Sequence, residues 1–376
     1  MSSSNNYEVI SKAKPHTIKK FELIESYVEG WMHKLLNYDK CKTLIYIDCM
    51  CNSGEYYDES GNSIFGTAVR VAKLLHDASY QYKDKKIVIF LNDINSEKIE
   101  HLKTLLPKER DSFKLSVSCR DGNELLRSLG PKLMRTKDIH TLLVYDPYSA
   151  SIEWDAVMPF LNTWGEVILN HMVSDSIRAI PVAKKPEIIK KYEETYQTSF
   201  ENLLPYGSNK AAYEKRIEEI IGMLRKRENR YFYIAAFPFF TRTNSLVYNL
   251  IHYTSNPNGF TLYKKVAWQT FGGRSSLKNT HGIENQLTFD SFSDGEIKTV
   301  VDEDCYYIKD IAEYLQRIYA GQNDVPLKSL WSALDEHPVF PADGFKADIK
   351  KALKENHGAA VGRSTISFVG KKGIVK

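Results

Sequence analysis

The chain has 376 residues, is 43 % hydrophobic and carries a formal net charge of +4. Such a length holds roughly two or three domains with a sizeable core, and no apolar run approaches the ~20 residues of a membrane helix. The first residues, Met1-Ser-Ser-Ser-Asn-Asn6, lack the regions of a secretion signal, and Cys41, Cys49, Cys51, Cys119 and Cys305 are too scattered for a disulfide framework or a zinc site; a cytoplasmic protein with reduced thiols and no metal is expected.

In chain order, residues 7–40 read as a leading helix, with Phe21, Ile24, Tyr27, Val28, Trp31 and Leu35 at helical spacing. His16 and Lys19 stand at its start, where a ligand contact and a solvated helix end both fit. Thr43 to Asp48 is a β-branched run that reads as a strand buried on both faces. Cys49 to Gly54 then forms a small polar turn, and Ile64, Ala68, Val71, Leu74, Leu75 and Ala78 keep the spacing of a helix. Strand, tight turn and helix make a geometry that can cradle a nucleotide, although only Gly54 remains of the glycines of a dinucleotide fingerprint.

The design repeats. Lys86 to Asp93 is an apolar strand ending on an acid, with a helix from Ser96, and a terminal carboxylate there suits the hydroxyls of a ribose. Phe113 to Cys119 is followed by Arg120-Asp121-Gly122-Asn123-Glu124, His140 to Asp146 by Pro147-Tyr148-Ser149, and Glu166 to Asn170 by His171. Five such units predict an α/β, Rossmann-like doubly wound parallel sheet with a ligand crevice at the carboxyl ends of its strands. Residues 175–229 turn helical and highly charged, a helical insertion whose charges form a solvated face. Tyr231 to Phe237 and Ser245 to Thr254 predict an antiparallel hairpin with its turn at Pro238 to Asn244. A parallel sheet closed by such a hairpin is the class I methyltransferase-like architecture, by analogy of fold.

Gly259 to Phe271 reads as a helix and 273–302 as a linker. In 303–376, helices are expected over Tyr306 to Tyr319, Pro326 to Leu334 and Gly344 to Asn356, with a strand at Thr365 to Val369: a winged helix, or a protein-docking module of the same make. From Gly344 onward eight basic residues face two acidic ones. Lys346, Lys350, Lys351 and Arg363 are therefore the candidate nucleic-acid contacts.

These motifs resemble the three-Cys-motif partner proteins. The similar residues are His16, Thr17 and Lys20 in the first helix, Tyr46-Ile-Asp48 with its small-residue turn, Asp146-Pro147-Tyr148, the Tyr231-to-Ala235 strand, and Tyr263-Lys-Lys-x-x-Trp268. Cys49, Met50, Cys51 and Asn52 replace the family's Gly-Phe-Ala-Gly, and Tyr148-Ser149 its Phe-Gly. The resemblance implies an S-adenosylmethionine-dependent methyltransferase-like domain in residues 1–272 and a partner protein, of radical S-adenosylmethionine type, bearing the Cys motif that this chain lacks. The cofactor is then expected along Asp48, Cys49, Asn52, Gly54, Asp93 and Asp121. Catalysis is expected at Asp146, Pro147 and Tyr148: Asp146 aims an acceptor nitrogen, Pro147 fixes the loop, and Tyr148 stacks an extruded base. The acceptor is a nucleic acid or the product of the partner enzyme. A methyltransferase-fold binding module without catalysis and an NAD enzyme stand as alternatives.

Overall fold

The computed structural model describes residues 9–278 and 305–370, apart from 135, 162–163, 207–211, 214, 218, 221 and 224–231. Runs rich in Val, Ile and Leu form β1 (Thr43–Asp48), β2 (Lys86–Asp93), β3 (Phe113–Cys119), β4 (Ile139–Tyr145) and β5 (Gly165–His171). All five are parallel. The central ones are buried almost throughout, as strands covered on both faces must be. A hairpin of β6 (Tyr233–Phe240) and β7 (Leu246–Thr254) completes the sheet, β7 running antiparallel beside β5. The order across the sheet is β3-β2-β1-β4-β5-β7-β6.

Helices cover both faces. Leu23, Tyr27 and Trp31 of α1 (Pro15–Leu36) pack with Val69 and Leu75 of α2 (Thr67–Gln81) and Leu102 of α3 (Ser96–Leu105) on one side. On the other lie Leu126 of α4 (Gly122–Met134), Phe160 of α5 (Trp154–Leu161), Val173 of α6 (Val173–Ala179) and Tyr196 of α7 (Pro186–Tyr196). The region read as an insertion thus buries Tyr192, Tyr196, Leu203 and Tyr213 against the sheet, so its charges cover only one side of it. Much of 207–231 lies outside the described residues.

The structure corrects several boundaries. The leading helix is shorter than 7–40, and Ser11–Lys12 before it pairs with Glu55–Tyr57 as a short parallel strand. No helix follows Gly54 directly. Glu55–Tyr57 and Ser63–Phe65 form a small antiparallel hairpin, so Ile64 is a strand residue whose helical spacing from Ala68 is accidental. The Gly66 N–H donates to the Gly54 carbonyl at 2.9 Å, which brings the start of α2 back to the end of the β1 turn. Pro238 belongs to β6, opposite Asn249, and the hairpin turn tightens to the residues around Thr241–Ser245. The sheet tolerates this proline because β6 is an edge strand.

Beyond α8 (Pro257–Thr270), the C-terminal unit holds α9 (Ile308–Ile318), α10 (Leu327–Glu336) and α11 (Lys346–His357). Short strands at Val325–Pro326, Ala360–Val361 and Thr365–Ser367 form an antiparallel sheet with the last strand in the centre. Its apolar residues Ile311, Leu315, Leu330, Leu334, Ile349 and Leu353 continue the core that includes Tyr263 and Trp268 of α8. Of the stretch read as a linker, 279–302 lie outside the described residues. Ser275 before it donates its N–H to the Tyr306 carbonyl at 2.9 Å.

Two polar anchors on α8 hold this unit. Lys264, wholly buried, donates to the carbonyls of Leu334 (2.7 Å), Asp335 (3.1 Å) and His337 (2.6 Å) at the end of α10, the first of which also accepts the His337 N–H at 3.1 Å. Trp268 Nε1 donates to the Val339 carbonyl at 3.0 Å. Burial draws the Lys264 pKa down to about 7, while three acceptors match the three N–H bonds of an ammonium. Lys264→Met keeps the aliphatic stem and strands the Asp335 and His337 carbonyls, so the full chain should lose about 1–3 kcal/mol of stability. A urea midpoint equal to that of the wild type would remove Lys264 from this role.

Candidate functional site

A cleft of about 430 Å³ opens at the carboxyl ends of β1 to β4, a volume in the range of small-molecule sites. Cys49, Asp93, Ile94, Asp121, Pro147 and Tyr148 line it. Adjacent parallel strands bring these residues together although they are spread over 100 positions of sequence. Ile94 is 69 % exposed, an uncovered aliphatic face beside an acid, which suits the flat side of an aromatic ring.

Asp93 closes β2 and is 2 % exposed. Its Oδ1 accepts the Asn95 N–H at 2.9 Å, and its Oδ2 accepts the Asn52 N–H at 3.0 Å and the Tyr148 hydroxyl at 3.1 Å. Asn52 reaches it from a left-handed backbone, φ 59°, a conformation that asparagine tolerates better than most residues. Gly54, φ +75°, completes the turn, but an added Cβ would lie 2.6 Å from Val69 and 2.5 Å from Leu102. Its glycine is therefore required by the packing of α2 and α3, and the residue does not line the cleft. The close approach to the β1 turn comes instead from Gly122, where a Cβ would meet the Cys49 carbonyl at 2.7 Å.

Asn92, not singled out from the sequence, ties three strand ends together. Its Nδ2 donates to the carbonyls of Cys49 (3.0 Å) and Arg120 (2.8 Å), and its Oδ1 accepts the Ser118 hydroxyl at 2.7 Å. Asp121 caps α4 through the N–H groups of Asn123 and Glu124. The insertion contributes Lys191 and Glu194 to the rim, and Lys191 Nζ donates to Ser149 Oγ at 2.9 Å. The signal for these two was a charged helical face like any other.

Behind the cleft, Asp146 Oδ2 meets Lys20 Nζ at 2.5 Å, and Asp146 Oδ1 meets Asn170 Nδ2 at 2.5 Å. Lys20 of α1, rather than Lys19, therefore reaches the strand ends; Lys19 turns to Glu22 at 2.6 Å. His16 is buried beside Lys14 and Lys20, which with desolvation lower its pKa to about 4. Asp48 is 3 % exposed, and burial followed by the neighbouring Asp146 pushes its pKa up to about 7. Asp48, Asn52 and Asp146 thus support the walls from behind, whereas Cys49, Asp93, Asp121, Pro147 and Tyr148 face the space.

Of the candidate nucleic-acid contacts, Lys351 and Arg363 are exposed and Lys350 is half-buried. Lys346 leans on Asp343 at 3.5 Å and on the ring of Trp331. Among the described residues no group of His, Cys, Asp and Glu is placed to hold a metal ion, and no helix is long and apolar enough to cross a membrane.

The Asp48 shift has a definite sign. A folded-state pKa above the unfolded one stabilises the fold fully below about 3.8 and is lost as pH rises through about 7. Asp48→Asn removes this dependence. Its advantage over the wild type should grow between these limits and level off above pH 7, at about 1–4 kcal/mol. Parallel urea midpoints across that window would refute the assignment.

No family model matches the chain, and no curated protein matches it. The solved structures it is matched with are remote. Human methyltransferase-like protein 13 in complex with S-adenosylhomocysteine has a TM-score of 0.31 and 11 % identity, over 68 % of this chain and 92 % of that one. The methyltransferase domain of bacterial CtHen1-CN gives 0.30 and 15 %, over 61 % and 99 %. Loganic acid methyltransferase with S-adenosylhomocysteine gives 0.28 and 10 %, over 68 % and 83 %.

Proposed function

We propose that the chain is an S-adenosylmethionine-dependent methyltransferase. The observation that carries this reading is the sheet order β3-β2-β1-β4-β5-β7-β6 with an acid-lined cleft at its carboxyl ends. The residues present fit such a cofactor. Asp93 offers carboxylate oxygens to ribose hydroxyls, Ile94 an apolar face to adenine and Asp121 a carboxylate near the adenine edge. Asp93, Asp121, Glu153 and Glu194 outnumber Lys191 on the walls, which favours a ligand carrying positive charge. When bound, the cofactor supplies an electrophilic methyl group. Asp146, held by Lys20 and Asn170 behind the cleft, anchors the start of the loop, and Pro147 fixes the part of it that faces the space.

One observation favours a binding module instead: the oxygens of Asp93 and Asp146 already have partners inside the chain. Calorimetric titration of the full chain with S-adenosylmethionine, S-adenosylhomocysteine and NAD separates the readings. Micromolar binding of the first two, weakened by ~1–3 kcal/mol in Asp93→Asn, is expected for the methyltransferase. Absence of binding by either would overturn it.

For the C-terminal unit we read a winged helix that docks on duplex nucleic acid. The arrangement of its three helices and small sheet, with α11 and the Arg363 hairpin presenting basic residues, supports this. Because Asp343 neutralises part of Lys346, three phosphate contacts remain, from Lys350, Lys351 and Arg363. Their expected log–log salt slope is about −2.7 for duplex DNA. Reversing the three charges in the full chain should flatten that slope; an unaltered slope would make the unit a docking surface for the partner protein that the family resemblance implies.

A further inference from the structure

We propose that the Tyr148 hydroxyl is a specificity-determining group of the cleft, a built-in competitor that a ligand displaces only by bringing a vicinal diol to Asp93. The inference rests on the cofactor reading of the cleft and adds how the site selects its occupant. Asp93 accepts three hydrogen bonds, and two of them come from the main chain at Asn52 and Asn95. Those donors are fixed by the β1 turn and by the start of α3. The third comes from a side chain that is 65 % exposed and lines the cleft, so it alone can leave without disturbing the fold.

The backbone around Tyr148 is pinned on both sides. Asp146 is held by Lys20 and Asn170, Ser149 by Lys191, the Ala150 N–H by Asp175 at 3.1 Å and the Ile152 N–H by the Thr195 hydroxyl at 3.1 Å. Displacement is therefore a rotation of one exposed side chain, a fast motion, rather than the opening of a loop. Lys98 Nζ lies over the ring, 5.4 Å from its centroid, and helps hold the resting position.

The exchange is unequal by design. A ligand with a single hydroxyl replaces the phenol one for one and gains no hydrogen bond at Asp93, whereas the two hydroxyls of a ribose gain one. Tyr148 thus raises the threshold for every occupant by one hydrogen bond, and a ribosyl ligand clears it where a deoxyribosyl or non-sugar ligand gains nothing. Removing the phenolic oxygen lowers that threshold.

The test is calorimetry of the full-length wild type and Tyr148→Phe with S-adenosylhomocysteine and its 2′-deoxy analogue. Tyr148→Phe should bind S-adenosylhomocysteine about 2- to 10-fold more tightly, the worth of one internal hydrogen bond no longer surrendered. It should also bind the deoxy analogue measurably where the wild type does so weakly or not at all. Equal affinities for S-adenosylhomocysteine overturn the proposal while leaving the cofactor reading intact. Weaker binding by Tyr148→Phe overturns it by making the hydroxyl a direct ligand contact. Failure of both proteins to bind overturns the cofactor reading and this inference with it.

Discussion

Three carboxylates crowd the carboxyl ends of neighbouring strands, and the buried Lys20 side chain is what lets them coexist. Parallel pairing sets Asp48 beside the ends of β2 and β4, so Asp93 and Asp146 follow whatever the side chains prefer. Without a cation, two carboxylates at this depth would draw in water or one of them would take up a proton. Lys20 answers Asp146 directly, and Asp48 is left to hold a proton instead. The position of α1 follows from this, since its amino-terminal turns must lie across the strand ends for Lys20 to arrive. Further along the same helix, Tyr27 bonds Glu166 while His252 meets both at 2.9 Å, which fixes its other half to β5 and β7.

The turn after β1 does without most of the glycines usual in a nucleotide cradle. Asparagine in a left-handed conformation takes one corner, Gly54 another, and Gly122 lets the start of α4 approach from the neighbouring unit. Asn92 then supplies the hydrogen bonds that a backbone-only turn would leave to solvent. The site is thereby distributed over three strand ends, and no short motif in the chain encodes it.

That distribution explains what the sequence could and could not convey. Strand positions were legible because a strand covered on both faces must be a run of apolar, β-branched residues, and the polar residue ending each run marks the carboxyl edge of the sheet where the cleft opens. Asp93, Asp121 and Tyr148, singled out in this way, line one cleft. The hairpin at residues 55–65 was not, because Ile64 happens to keep the helical phase of the segment that follows. Lys19, for which a ligand contact and a solvated helix end both fitted, takes the solvated place, and Lys20, next to it in the sequence, takes the strand ends because one residue turns a helix by about 100°. Lys191 and Glu194 were invisible because only the tertiary path of the insertion distinguishes them from its other charges. Gly54 is likewise set by tertiary packing, since an added Cβ there would meet Val69 and Leu102.

Lys264 and Trp268 bear on how the chain is made. On a ribosome, α8 emerges with its buried ammonium and indole still lacking the carbonyls they will bond, which lie about 70 residues downstream. At ~5–20 residues per second, that interval lasts several seconds. During it the seven-stranded sheet is complete, yet the outer side of its last covering helix is bare and polar atoms meant for burial face water. The nascent amino-terminal part therefore waits in an unfinished state that is closed only when α10 and Val339 arrive, and a chain cut short before Val339 would leave that wound open for good.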